Sequence, residues 1–337
     1  MQPNDSELPG YTSYRANRVE FSDQTCQLED GKGRPWIWLT IRSRTRDRAR
    51  LPLFCEGDKI EGSVEVDFDK TSGAKGVSVA VTGSVTEVGQ EEFKFLQLHE
   101  ALWTREASTA PKDKHRWPFS IPLPDKVPVQ NESYALPPSF SERGSPVYVD
   151  YRVTVAVRRG GLRVNHTLAS VLVYMSTSYA PMPSQLRQLA YSEGAMIIGP
   201  EGDPEGWKTL QPLRISGTLF NTKPVTVECT LAISSPVAFA AGSPIPLFMT
   251  FSSVDEQALD LLSTPSSIKI HLIRERLVGS SANKGKGQTD RTFREPISAA
   301  FFWSPSEASP EKGKRVLQGE LEVKKGTTPS FTFHGFL

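Results

Sequence analysis

Residues 147–159, "VYVDYRVTVAVRR", give the clearest indication of the fold class of this chain. Up to the two arginines, apolar or aromatic residues occupy every second position, with polar or small residues between them. Because successive side chains of a strand point to opposite faces, this alternation predicts a half-buried β-strand. A second apolar run, "LRVNHTLASVLVYM" (162–175), follows after Gly160 and Gly161. Two glycines suit a tight turn, so the pair of runs predicts an antiparallel hairpin.

Similar short runs extend in both directions, separated by 26 prolines and 25 glycines spread along the chain. "GVSVAVTGSVTEV" (76–88) alternates in the same way. "EFKFLQLHEALW" (92–103) fits a helix or a strand, and the alternation of its two Phe residues favours a strand. A short helix is expected in "VDEQALDLL" (254–262), with Asp255 as its N-cap. Many short strands and few helical patterns predict an all-β sandwich.

The bulk composition narrows the class of function. Lys and Arg total 39 against 38 Asp and Glu, which gives a formal net charge of +1. No overall positive field favours nucleic-acid binding, so any basic site has to be local. Three widely spaced cysteines favour a reducing compartment. The N-terminus has no apolar core typical of a signal peptide, and no apolar run approaches the roughly 18 residues of a membrane helix.

An internal repeat supports two copies of one fold. "FCEGDKI" (54–60) and "FAAGSPI" (239–245) share the pattern F-x-x-G-[DS]-x-I. The glycine suits a tight bend, and the flanking Phe and Ile suit a core. A second pair of anchors, "LPPSF" ending at Phe140 and "TPSF" ending at Phe331, follows at similar spacing. We expect the members of each pair to occupy equivalent positions.

An ordered set of stretches resembles fungal arrestin-like proteins of the α-arrestin type. The stretches are "LPLFCEGDKIEGSVEVDF", "RWPFSIPLPDKVP", "YALPPSF", "VYVDYRVTVAV", "GPEGDPEGWKTL" and "KPVTVECTLAISSPVAFAAGSPIPLFMTFSS". The resemblance covers about residues 35 to 337. It implies two tandem antiparallel immunoglobulin-like β-sandwiches joined by a linker.

The expected organisation has four parts. They are an N-terminal segment (1–34) whose first part is disordered, an N-terminal sandwich (35–177), a linker (178–211) and a C-terminal sandwich (212–337). Only "TFHGFL" follows Phe331, so the second sandwich is expected to lack its last strands and to expose an edge.

The resemblance implies a non-enzymatic adaptor that binds the cytoplasmic tails of membrane proteins in trafficking, endocytosis or ubiquitin-dependent down-regulation. It implies a cytoplasmic protein, transiently at the plasma membrane or endosomes. The Pro-Pro-x-Tyr motif that docks ubiquitin-ligase WW domains is absent: Pro137-Pro138 is followed by Ser and Phe. A ligase would therefore be reached indirectly. No catalytic, cofactor-binding or metal-ligating spacing is found. The alternative is a β-sandwich binding module for carbohydrate or for structural protein assembly, with no role in trafficking.

Two basic stretches are the candidate partner sites. "RSRTRDRAR" (42–50) sets five arginines against Asp47, and "RRGGLR" (158–163) lies at the hairpin end. Each is either a solvated loop or a site for an acidic or phosphorylated tail or an anionic lipid headgroup. The candidate residues are Arg42, Arg44, Arg46, Arg48, Arg50, Arg158, Arg159 and Arg163.

Overall fold

A computed structural model describes residues 21–45, 47, 49–71, 73–109, 111–160, 164–278, 291–305 and 311–333. Most of these residues lie in antiparallel sheets, which confirms the all-β prediction. The chain divides into two compact units. The first contains the described residues up to Thr177, with Val278 and 331–333. The second contains Ser178–Leu277 and the described residues between 291 and 330.

The first unit is built from eleven strands within the described residues. They are β1 (Ser22–Glu29), β2 (Pro35–Ser43), β3 (Leu53–Cys55), β4 (Lys59–Asp67), β5 (Ala74–Glu87), β6 (Phe93–Thr104), β7 (Lys114–Pro122), β8 (Lys126–Val129), β9 (Glu132–Ala135), β10 (Val147–Arg159) and β11 (His166–Met175). One sheet has the order β1-β2-β4-β7 and the other β3-β11-β10-β5-β6, while β8 and β9 form a hairpin.

The alternating stretch becomes the centre of the five-stranded sheet. In β10, Val153 lies opposite Val81 of β5 on one side and Ser170 of β11 on the other. The side chains at alternate positions of β10 are buried, as the period of two requires. The hairpin of β10 and β11, the strand at 76–88 and the strand at 92–103 are confirmed.

The first sheet begins earlier than expected. β1 pairs with β2 along its whole length, although the sequence analysis placed the start of the sandwich at residue 35. The inward positions of β1 are Gln24, Cys26 and Leu28, opposite Ile41 and other buried residues of β2. A strand with so few apolar residues has little periodic signal, because it depends on its neighbour for burial.

The second unit contains two helices and eight strands within the described residues. They are α1 (Gln185–Glu193), β12 (Trp207–Thr209), β13 (Leu213–Leu219), β14 (Lys223–Ser234), β15 (Pro244–Ser252), α2 (Glu256–Leu262), β16 (His271–Val278), β17 (Arg291–Ala299), β18 (Phe301–Trp303) and β19 (Lys314–Glu322). The main sheet has the order β12-β14-β15-β19-β18 with β13 also on β14, and β16 and β17 form a two-stranded sheet. Asp255 caps α2 by accepting from the backbone N of Ala258, which confirms the expected helix.

The first anchor of the repeat adopts the same turn in both units. The backbone N of Asp58 donates to Cys55 O at 3.0 Å, and that of Ser243 donates to Ala240 O at 3.1 Å. Gly57 and Gly242 have φ of +82° and +85°, in the left-handed region that favours glycine. The strand order β1-β2-β4-β7 recurs as β13-β14-β15-β19.

The Phe and Ile residues that flank these turns are buried to a similar extent in only one of the two pairs. Ile60 and Ile245 are 0% and 6% exposed. Phe54 is fully buried, whereas Phe239 is half-buried against the core of the second unit. The prediction that the two Phe residues are equally buried is therefore wrong, although both contact the core of their unit.

The prediction that Phe140 and Phe331 occupy equivalent positions in the two units is wrong. Phe331 is not the counterpart of Phe140 but contacts it, with ring centroids 5.9 Å apart. Phe333 is 0% exposed in the first unit, 4.9 Å from the ring of Phe95 and 5.8 Å from that of Tyr134. The chain end expected to close the second sandwich therefore belongs to the core of the first.

The described residues of the second unit contain no counterpart of the hairpin of β10 and β11. The two-stranded sheet of β16 and β17 has half-buried and exposed side chains throughout its described positions. That the second sandwich lacks its last strands stays a prediction.

The expected linker (178–211) is an integral part of the second unit. β12 pairs with β14. Arg187 of α1 is 3% exposed, donates to Ser235 O at 3.0 Å and also donates to Gly206 O. These contacts attach α1 to the main sheet, so the stretch is more than a connection.

Candidate anion-binding sites of the first unit

The arginine run leads from the end of β2 into a short loop before β3. Arg42 lies in β2 and Arg44 just beyond it, while Arg46 and Arg48 lie outside the described residues. The Gln24 side chain of β1 fixes the loop by donating from Nε2 to Arg50 O at 2.8 Å. The described residues of the run thus form a strand end and an anchored loop, as the position of the run between two strand patterns predicts.

Each described arginine of this run faces a carboxylate. Arg44 binds Asp58 through two contacts of 2.6 Å, Nε to Oδ2 and Nη2 to Oδ1. Arg50 Nε lies 3.5 Å from Asp47 Oδ2. Arg42 stands between Asp23 of β1 and Glu61 of β4 in the strand register. The sequence placed Asp47 as the single acidic residue among five arginines. That interpretation is wrong for the folded chain, because β1, β4 and the turn before β4 bring further carboxylates to the run.

The pair of Arg44 and Asp58 is held firmly. Burial alone would raise the pKa of Asp58, but the hydrogen bonds from Arg44 and from the Cys55 backbone N hold that pKa below its usual range. A bidentate guanidinium engaged in this way has little capacity left for an external anion. Arg44 is therefore a structural contact to the repeat turn.

The end of β10 has the opposite electrostatic character. Arg158 lies opposite Gly76, and Arg159 lies opposite Ala74, so Lys75 is the extra residue of a β-bulge. Bulges redirect side chains at strand ends. The Lys75 side chain lies over Gly160, where an added Cβ would be 2.6 Å from its Cε. Three cationic side chains are thereby brought to one end of the hairpin.

Arg159 contacts neutral groups through both its side chain and its backbone. Its Nη1 lies 3.1 Å from His166 Nε2, and its backbone N donates to Asn165 Oδ1 at 3.1 Å. Its Nε is buried and has no hydrogen-bond partner among the described residues. Burial first, and the charge of Arg159 second, lower the pKa of His166. Neither the imidazole nor the Asn165 amide carries a negative charge, so these contacts do not compensate the guanidinium charge.

Lys75, Arg158 and Arg159 form no ion pair with any carboxylate that the structure describes. We call these three residues, with His166, the hairpin-end cluster. Arg163, the remaining candidate, lies outside the described residues. Like charges held together without acids favour a bound anion.

The two candidate sites are not brought together. Trp36, at the start of β2, meets His166 edge-on with ring centroids 4.9 Å apart. Arg44, beyond the end of β2, donates from its backbone N to Leu53 O at 3.0 Å. The sites therefore lie at opposite ends of β2, which spans about 30 Å at about 3.3 Å per residue.

Lys75 and His166 were missed by sequence reasoning. Neither lies in a run of charges, and the bulge that aims Lys75 at the hairpin end is set by pairing with β10. Among the described residues, no His, Cys, Asp and Glu side chains group as a metal site. Neither described helix is long and apolar enough to cross a bilayer. No protein-family model and no curated protein matches the sequence.

Proposed function

We propose that the chain is a non-enzymatic, arrestin-like adaptor that binds the cytoplasmic tails of membrane proteins in trafficking, endocytosis or ubiquitin-dependent down-regulation. The hairpin-end cluster carries this proposal, because three cations that pair with no carboxylate among the described residues suit an acidic or phosphorylated segment. Two successive β units that share a strand order and a glycine turn support an adaptor, since each unit offers its own surface. Such a protein acts in the cytoplasm and meets the plasma membrane or endosomes through its partners.

The geometry favours the hairpin end over the arginine run. Arg158 and Lys75 are exposed and form no ion pair with a described residue, whereas Arg44 is engaged by Asp58. Arg42 and Arg50 are exposed but have acidic neighbours. An anionic tail at the arginine run would have to compete with those carboxylates.

The test is a titration of the full chain with a phosphorylated peptide, its unphosphorylated form and anionic vesicles. Lys75→Gln with Arg158→Gln removes two charges of the cluster. The matched control, Arg42→Gln with Arg50→Gln, removes two exposed charges from the arginine run. Each exposed pair contributes about 0.2–1 kcal/mol, so we expect about a tenfold loss of phosphopeptide affinity for the first variant. The loss should shrink as salt rises from about 0.1 M to about 1 M.

Equal binding of wild type and the cluster variant at low salt would refute this assignment. If only the control variant lost phosphopeptide affinity, the arginine run and not the hairpin-end cluster would be the binding site. Binding to vesicles alone would contradict tail recognition and leave a lipid-binding protein instead.

A further inference from the structure

A cavity of about 220 Å³ opens on the outer face of the main sheet in the second unit. Its floor crosses three strands, where Thr209 of β12, Ala232 of β14 and Phe248 of β15 lie side by side in the register. Thr230 and Thr250 form the adjacent row. At about 30 Å³ per water molecule, the cavity has room for about seven waters, which is the scale of a small organic ligand.

A loop (197–203) stands over this face, and side chains of the unit hold it there. Gln318 Nε2 donates to Ile197 O at 3.0 Å, and Trp207 Nε1 donates to Ile198 O at 2.9 Å. Because both bonds come from residues of the sheet, the wall of the cavity is formed before any ligand arrives.

One wall is apolar and tightly built. An added Cβ on Gly199 would lie 2.6 Å from the Phe248 ring, so only glycine lets the loop approach this closely. Trp207 supports the same ring edge-on, with centroids 5.8 Å apart. The cavity therefore presents a fixed aromatic surface beside a small floor residue, Ala232.

Three threonine hydroxyl groups also line the cavity. The side chains of Thr209, Thr230 and Thr250 make no hydrogen bond to any described residue. Each hydroxyl is both a donor and an acceptor. Three such groups around one cavity match a ligand that also carries several hydroxyls.

The charge at the rim is balanced. Glu201 also lines the cavity, and its Oε1 lies 2.5 Å from Lys314 Nζ. Glu201 is the one charged residue of the described lining, and its charge is offset by Lys314, which lies outside the lining. The chemistry of the lining suits a neutral molecule.

We propose that this cavity binds a neutral polyol of monosaccharide size, with the C–H face of a sugar ring against Phe248 and its hydroxyls on the three threonines. Trp303 extends the surface: it lies opposite Gln318 on the same face of the sheet and is 41% exposed. The site lies in the second unit and does not depend on the proposed recognition of tails.

The experiment is saturation-transfer NMR of the full chain with glucose, galactose, mannose and N-acetylglucosamine, followed by titration of any sugar that responds. A small neutral ligand with few contacts is expected to bind with a Kd of about 1 mM. Thr230→Val removes one hydroxyl without changing the shape and should weaken binding about five- to tenfold, since the sugar hydroxyl loses its partner. Ala232→Leu should abolish binding by filling the floor.

The matched control is Thr226→Val, on the same strand and face. The Thr226 hydroxyl pairs with that of Ser216 at 3.2 Å outside the cavity, so its removal should leave the titration unchanged. Absence of saturable binding to all four sugars would overturn the proposal. Equal binding by the Ala232→Leu variant, or stronger binding of a sugar phosphate than of the neutral sugar, would overturn it as well.

Discussion

Replacing Phe333 with Ala tests whether the chain end is part of the core of the first unit. The Phe333 ring is fully buried and lies against Phe95 and Tyr134. Core Phe→Ala changes cost about 3–5 kcal/mol. Because Phe333 lies outside any strand or helix, its segment can shift instead of leaving a rigid cavity, and we expect the lower end of this range, about 3 kcal/mol. A loss of this size lowers the melting temperature by roughly 6–12 °C in a unit of this length.

Two units in one chain make a single melting curve ambiguous, so the assay has to be local. Hydrogen exchange of the amides of β5, β6 and β10 reports on the first unit, and that of β14 and β15 reports on the second. Exchange should accelerate in the first set alone. Phe301→Ala is the control, since Phe301 is 78% exposed and its loss should change stability by no more than about 0.5 kcal/mol. Unchanged protection of β6 and β10 in the Phe333 variant would refute the packing argument.

Two further predictions concern the repeat turn. Gly57→Ala and Gly242→Ala should each destabilise their own unit by about 1–2 kcal/mol, measured by hydrogen exchange of the same two sets of amides, because both glycines have positive φ. Gly31→Ala, with nothing within 4 Å of its added Cβ, is the control, and equal protection in all three variants would contradict the reasoning. Asp58→Asn should cost about 1–2 kcal/mol at pH 7 through its bonds to Arg44 and Cys55. The folded pKa of Asp58 is depressed, so this contribution is present above its unfolded pKa of about 3.9 and is lost as pH falls through the folded value. A wild-type advantage that persisted undiminished at the lowest pH would oppose this assignment.

The local structure of this protein could be predicted from its amino-acid sequence. The alternation in 147–157, the cap at Asp255 and the glycine turns at Gly57 and Gly242 were all readable, because each depends on neighbours within a few residues. A period of two specifies which face of β10 is buried whatever strand lies beside it. These local signals were sufficient for the all-β class and for the shared turn of the two units.

Which of the cationic side chains lack acidic neighbours depends on contacts between residues that are distant in sequence. Asp23, Asp58 and Glu61 reach the arginine run through strand register and a turn, so its high charge density along the chain is not a high density in space. The hairpin-end cluster shows the opposite case, a high charge density in space without one along the chain. A bulge brings Lys75 to two arginines that are more than eighty residues away in sequence.

The position of the segment 331–333 likewise depends on packing between residues that are distant in sequence. The likeness of "TPSF" to "LPPSF" predicted an equivalent place, yet Phe331 contacts Phe140 and Phe333 enters the core beside Phe95. A short apolar motif specifies burial but not the partner, because any apolar site of suitable shape removes its surface from water. Which site is filled depends on the assembled sheets, and no local pattern encodes that choice.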